Sequence, residues 1–160
     1  VGAGKATKEK DIMLDTSELL FTIKIAGKLS NNNSGQTKHW SSAHKAKKKW
    51  MLALRHATVT LPSEGELEFN YYEFLEHVLA DEPIAQLVGI EIQRVLGPRE
   101  RKYDPDSVLR GEAKQLVDSL VGTNLLTDDS CKHILWAVGT QAETRAKESH
   151  VLIRFYGVDK

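Results

Sequence analysis

The chain has 160 residues, 41% of them hydrophobic, with 22 basic and 22 acidic side chains and a formal net charge of zero. That length suits one domain with a real core, and a single cysteine, Cys131, excludes an intrachain disulfide framework and fits a reducing compartment. No apolar run reaches the length of a membrane span and the first residues do not read as a secretory leader, so a cytoplasmic protein without a membrane partner is expected.

Residues 1–16 are rich in glycine and lysine and read as a disordered or vector-derived start, with one domain over 17–158. Leu19 to Gly27 is rich in β-branched residues and closes on glycine, which predicts a strand. Ser30 to Gln36 is a polar loop, and Ser42 to His56 turns helical, with Ala43, Ala46, Trp50, Ala53 and Leu54 on one stripe. Val59 to Ser63 ends that unit. Phe69 to Leu79 predicts a second helix with Tyr72, Leu75 and Leu79 on one side and Pro83 beyond it, making 64–84 an acidic helical insertion.

Val88 to Leu96 alternates and predicts a strand ended by Gly97-Pro98. A helix follows from about Ser107 to Val121, with Leu109, Ala113, Leu116, Val117, Leu120 and Val121 inward, Asp106 or Ser107 as N-cap and Gly122 as stop. Cys131 to Val138 and His150 to Tyr156 predict two strands joined by a polar turn. The order β-α-(α)-β-α-β-β is that of an α+β domain, helices packed on a small mixed β-sheet.

The zero net charge conceals blocks. From Leu19 to Ser63 there is no acidic residue, whereas from Glu64 to Gln93 there is no lysine or arginine. Such asymmetry predicts one face that meets an anion and another that stays in water.

The chemistry concentrates in Asp104-Pro105-Asp106, Lys114 and Asp128-Asp129. Carboxylates from both ends of a helix–loop unit form a hard-oxygen site for Mg²⁺ or Mn²⁺. Pro105 biases Asp104 to an extended conformation, in which side chains two apart share a face. Lys114, about two turns into the predicted helix, is placed to meet a phosphate, and Asp118 can orient it across one turn. Asp-x-Asp is also a common helix-capping pattern and Asp128-Asp129 a common turn, so from the residues alone both readings stand.

Taken together, Asp104-x-Asp106, Lys114-x-x-x-Asp118-x-Leu120 and Leu125-Leu126-x-Asp128-Asp129 resemble the RusA-type Holliday junction resolvases. These are small dimeric endonucleases typical of phages and prophages. The likeness is specific from Asp104 to Asp129, and elsewhere is one of element order. It implies a RusA-like fold, Mg²⁺ held by Asp104, Asp106 and Asp129 with Asp128 in support, and Lys114 as the lysine needed for cleavage. It implies a homodimer acting on four-way DNA junctions in a bacterial host cell. Ser107 stands where the family usually has asparagine, and a longer interval from Asp106 to Lys114 leaves Arg110 as a second candidate cation.

The expected nucleic-acid contacts are Asn31, Asn32, Asn33, Lys38, His39, Lys45, Lys48, Lys49, Arg99, Arg101, Lys102, Tyr103 and Arg110, with Lys47 beside them. A solvated helix face explains Lys45 to Lys49 equally well. Trp40 and Tyr103 interleave with basic residues and suit base stacking. Two other readings share these residues: a branched-DNA-binding protein without catalysis, and a broader flap or single-strand nuclease. The six histidines lack zinc spacing with Cys131, and Gly2-Ala3-Gly4-Lys5 lacks the Walker spacing, so neither zinc nor a nucleotide cofactor is expected.

Overall fold

The computed structural model describes residues 17–30, 40–62, 67–102, 107–109 and 111–158. Strand β1 (Ser17–Ala26) puts Phe21, Ile23 and Ile25 on one face, as its alternation predicts, and Gly27 ends it at φ 139°. Helix α1 (Trp40–Leu54) buries Trp50 and Leu54, one turn apart. Two short strands missing from the sequence reading come next, β2 (Thr58–Leu61) and β3 (Leu67–Asn70), paired antiparallel.

The predicted helix over Phe69 to Leu79 is therefore helical over 71–78, and only its first two residues, Phe69 and Asn70, belong to β3. The helical part opens with α2 (Tyr71–Glu73), capped by the Asn70 side chain accepting from Tyr72 N–H at 3.0 Å. The chain then widens into a π-helical turn over Phe74–Val78, closed by Leu79 N–H donating to Phe74 C=O. That geometry buries Tyr71, Phe74 and Leu75 and leaves Tyr72 exposed, which corrects the predicted apolar side.

Strand β4 (Val88–Val95) and strand β6 (His150–Val158) follow their predictions closely. Between them lie α3 (Ala113–Gly122) and β5 (Ile134–Gln141). Helix α3 starts six residues later than the predicted Ser107, because Gly111 takes φ 67° and separates it from a tight turn at 107–109. Asp106 lies outside the described residues, and Glu112, not Ser107, is the residue at the N-cap position of the helix. Nor does Gly122 stop it. Asn124 at φ 71° does, its N–H meeting the Val121 carbonyl while Leu125 N–H meets that of Leu120. Leu109, left off the helix, is exposed.

The six strands form one mixed sheet in the order β3-β2-β1-β6-β4-β5, in which only β4 and β5 run parallel. Strands β5 and β6 are consecutive in sequence but β4 lies between them, so the predicted pair is not a hairpin. A parallel β4–β5 pair needs a long crossover, and the segment carrying α3 supplies it. On the buried face Phe21 faces Phe155, Ile23 faces Ile153, and Ile90 and Ile92 continue both rows across β4. Trp50, Leu54, Phe74, Leu116 and Leu120 from the helices close the same core. Each such side chain contributes about 1.5–3 kcal/mol on burial. The class is α+β, as expected. Among the described residues no helix is long and apolar enough to cross a membrane.

Candidate active site

Helix α3 presents its apolar stripe, Ala113, Leu116 and Leu120, to the core and so turns Lys114 and Asp118 outward. Lys114 is the second residue of the helix rather than two turns inside it. Its Nζ lies 3.5 Å from Asp129 Oδ2 and 4.0 Å from Asp118 Oδ1. The Asp118 contact is the i,i+4 pair that the spacing predicts. The Asp129 contact joins residues 15 apart in sequence, and only the path of the chain after the helix creates it.

That path is fixed at several points. Ile84 N–H donates to Leu125 C=O, Leu125 and Leu126 are buried, the Asn124 amide reaches Asp81 C=O, and Val88 N–H holds His133 C=O. Asp128 does the local work of the turn, its Oδ1 accepting from Ser130 N–H at 2.8 Å. Hydrogen bonds from the Ser130 hydroxyl and backbone, with lesser help from His133 and Lys132, hold the Asp128 carboxyl below the ordinary aspartate range. His133 Nε2 stands 3.7 Å from its second oxygen. Asp129 is left projecting toward Lys114 with 46% of its side chain exposed, against 68% for Lys114.

Asp104, Asp106, Tyr103 and Arg110 lie outside the described residues, as do Asn31, Asn32, Asn33, Lys38 and His39. The described ends of the Asp-x-Asp segment are both anchored. Ahead of it, Arg94 is 1% exposed and donates to Arg101 C=O at 2.8 Å, to Gln141 at 3.1 Å and to Glu100 Oε2 at 2.8 Å. Glu100 in turn accepts from Gly97 N–H and from the Ser149 hydroxyl, and Arg145 binds the Gly97 and Glu100 carbonyls. Behind it, Ser107 and Val108 are buried, with Val108 packed against Gly139 so closely that a Cβ there would come within 2.8 Å.

This clamp escaped the sequence reading, although its signal was present: Arg94 falls in the inward phase of Ile90 and Ile92, where a charge must be paired. Arg99, Arg101 and Lys102 are exposed on the clamped loop, and Lys45 and Lys48 are exposed on α1. Lys49 is committed elsewhere. Glu112 holds its ammonium through both carboxylate oxygens at 2.7 and 2.8 Å, tying α1 to the start of α3, and the same ammonium lies 4.7 Å from the Trp50 ring centroid. Its charge is therefore largely spent within the protein. Trp50 belongs to the core, as its stripe position predicts.

A second polar network was also missed. On the sheet face opposite the main apolar rows, Arg154 donates to Glu91 and Gln93, and the Thr140 and Tyr156 hydroxyls donate to Glu91. Trp136 lies over Gly89, 5.6 Å from the Tyr156 ring. Burial, then the Glu91 carboxylate, raise the Tyr156 phenol above its ordinary range.

No family model matches the chain, and no curated protein matches it.

Proposed function

We propose that the chain is a metal-dependent endonuclease acting on branched DNA, in the manner of the RusA-type resolvases that its acidic motifs resemble. The observation that carries this reading is the approach of Lys114 to Asp129 across 15 residues, at an exposed position where the pair contributes little to stability. A lysine beside a projecting carboxylate, in a chain whose clamped loop also exposes Arg99, Arg101 and Lys102, suits a phosphodiester substrate.

The donor type suits a hard divalent ion, since the Asp129 carboxylate is half-exposed and the partners that the resemblance assigns to it are carboxylates; among the described residues themselves no three such side chains cluster to hold one. Asp104, Asp106 and Asp129 would hold Mg²⁺ or Mn²⁺, with Asp128 beside them. When bound, the ion supplies a more acidic water and offsets charge on the phosphoryl oxygens. Lys114 neutralises charge that builds on the scissile phosphate, and Asp118 keeps its ammonium near the site. The exposed lysines and arginines position the DNA backbone. A four-way junction has approximate two-fold symmetry, so paired cuts call for two copies of the site related by a two-fold axis.

The test is cleavage of a synthetic four-way junction, with linear duplex and flap controls, with and without Mg²⁺. Symmetric metal-dependent nicking of the junction, lost in Asp106→Asn with binding retained, is the expected result. Cutting that survives Asp106→Asn would sink the assignment. The turn-forming hydrogen bonds of Asp128 favour a second reading, a branched-DNA-binding protein whose acidic residues are structural. That protein would bind the junction tightly and cut nothing.

A further inference from the structure

Beyond β4 the chain turns at Gly97-Pro98-Arg99-Glu100, and ahead of β6 it returns through Lys147-Glu148-Ser149. An open cleft of about 430 Å³ lies between these two segments. Sites for small ligands usually measure roughly 300–1,000 Å³. The walls are fastened to each other. Arg145 donates to the Gly97 and Glu100 carbonyls at 2.8 and 2.6 Å, Ala146 N–H to the Leu96 carbonyl at 2.9 Å, and the Ser149 hydroxyl to Glu100. Gly97 sits so close to Ser149 that an added Cβ would come within 3.0 Å of its hydroxyl oxygen. The cleft is therefore shaped in advance, and a ligand has little backbone to order on binding.

Charge decides what it takes. Arg99 and Lys147 line the cleft, one from each wall, and both are exposed. Neither makes an ion pair or a side-chain hydrogen bond. Arg145 spends its hydrogen bonds on carbonyls, which leave its positive charge unopposed. Of the two carboxylates at the cleft, Glu100 is already held by Arg94 at 2.8 Å and by donors from Gly97 and Ser149. Glu148 is the other, and the cations outnumber it. A guanidinium fork and an ammonium, both unpaired and brought together from two rigid walls, are suited to the oxygens of a phosphate group.

We infer that this cleft is a phosphate-binding site, with Arg99 and Lys147 as its ligands. Arg99 is among the residues expected to meet DNA, whereas Lys147 and the cleft itself carry no such expectation. The inference does not rest on the nuclease reading, because a phosphate group belongs equally to a nucleic-acid backbone and to a free phosphate ester.

Titration of the isotopically labelled full chain with inorganic phosphate, followed by NMR without DNA or metal, tests it. Saturable shifts are expected at the Gly97, Arg99, Lys147 and Ser149 amides. Arg99→Ala and Lys147→Ala should each weaken binding about tenfold, with far-UV circular dichroism unchanged. Lys102→Ala, which removes an exposed cation of the same loop outside the cleft, should leave binding as it is. A wild type without saturable shifts overturns the inference. So does binding that either cleft variant retains in full, or an equal loss in Lys102→Ala. The salt dependence of four-way-junction binding then names the source of the phosphate. A slope lower by about one in Lys147→Ala assigns it to the DNA backbone, and an unchanged slope to a free phosphate ester. Because the phosphate titration measures no cutting, its failure is separate from failure of the nuclease reading.

Discussion

Two ion pairs lie on either side of the Asp-x-Asp segment, and they are opposites. Ahead of it, the buried Arg94 pairs with the largely covered Glu100, with further hydrogen bonds to backbone and to Ser149. Lys114 and Asp129, after it, are exposed and meet at 3.5 Å. A charge buried to this degree is costly unless paired and hydrogen-bonded, and Arg94 spends its Nη groups on Glu100, Gln141 and the Arg101 carbonyl, so the first pair is structural and pins the loop. An exposed pair contributes at most about 1 kcal/mol, so the second is free to exchange partners with a substrate. The clamp keeps the described loop in place, and the exposed pair is where the proposed substrate would bind.

The largest break in this contrast is expected at the clamp. Arg94→Ala leaves Glu100 without its buried partner and should lower stability by about 3–5 kcal/mol in urea unfolding. A loss below 1 kcal/mol would show that the loop does not depend on it. Next in size is Gly89→Ala, whose Cβ would overlap the Trp136 ring and must displace it from Tyr156. A cost of about 1–3 kcal/mol and altered tryptophan fluorescence are expected. Lys49→Met removes a half-exposed bidentate pair and should cost about 1 kcal/mol, with only slight loss of DNA affinity. A large affinity loss in filter binding would restore Lys49 to the contact set.

The smallest stability effect is expected for Lys114→Ala, within about 0.5 kcal/mol of wild type, while the proposed junction cleavage should fall by orders of magnitude. Equal losses of stability and activity would make Lys114 structural. Asp128 gives a pH-dependent version of the comparison. Its folded carboxyl titrates below the ordinary range, so its stabilisation is present at neutral pH and is lost as pH falls through that lowered value. Asp128→Asn should flatten stability against pH in the acid range, and a profile unchanged from wild type would contradict the Ser130 turn.

Much of the fold was legible because it is local. Alternation in β1, β4 and β6, and the stripes through Trp50 and Leu116–Leu120, each encode a period within one segment. Strands β2 and β3 were not legible, since four residues carry too little pattern, and Asn70 hides a strand-to-helix change inside one apolar run. At the site, Lys114 to Asp118 could be read from helical spacing alone. The Lys49–Glu112 pair could not, because its partners are 63 residues apart and either charge taken alone looks solvated.

The amino-acid sequence by itself determined the α+β class, the inward faces of its long elements and the residues capable of acid, base and phosphate chemistry, because these follow from side-chain type and short-range period. Tertiary structure alone decided that β6 lies between β1 and β4, that Arg94 is buried, that Lys49 is neutralised and that Lys114 reaches Asp129. Those outcomes depend on pairings between distant segments, and such pairings are set by the packing of the whole core rather than by any stretch of it.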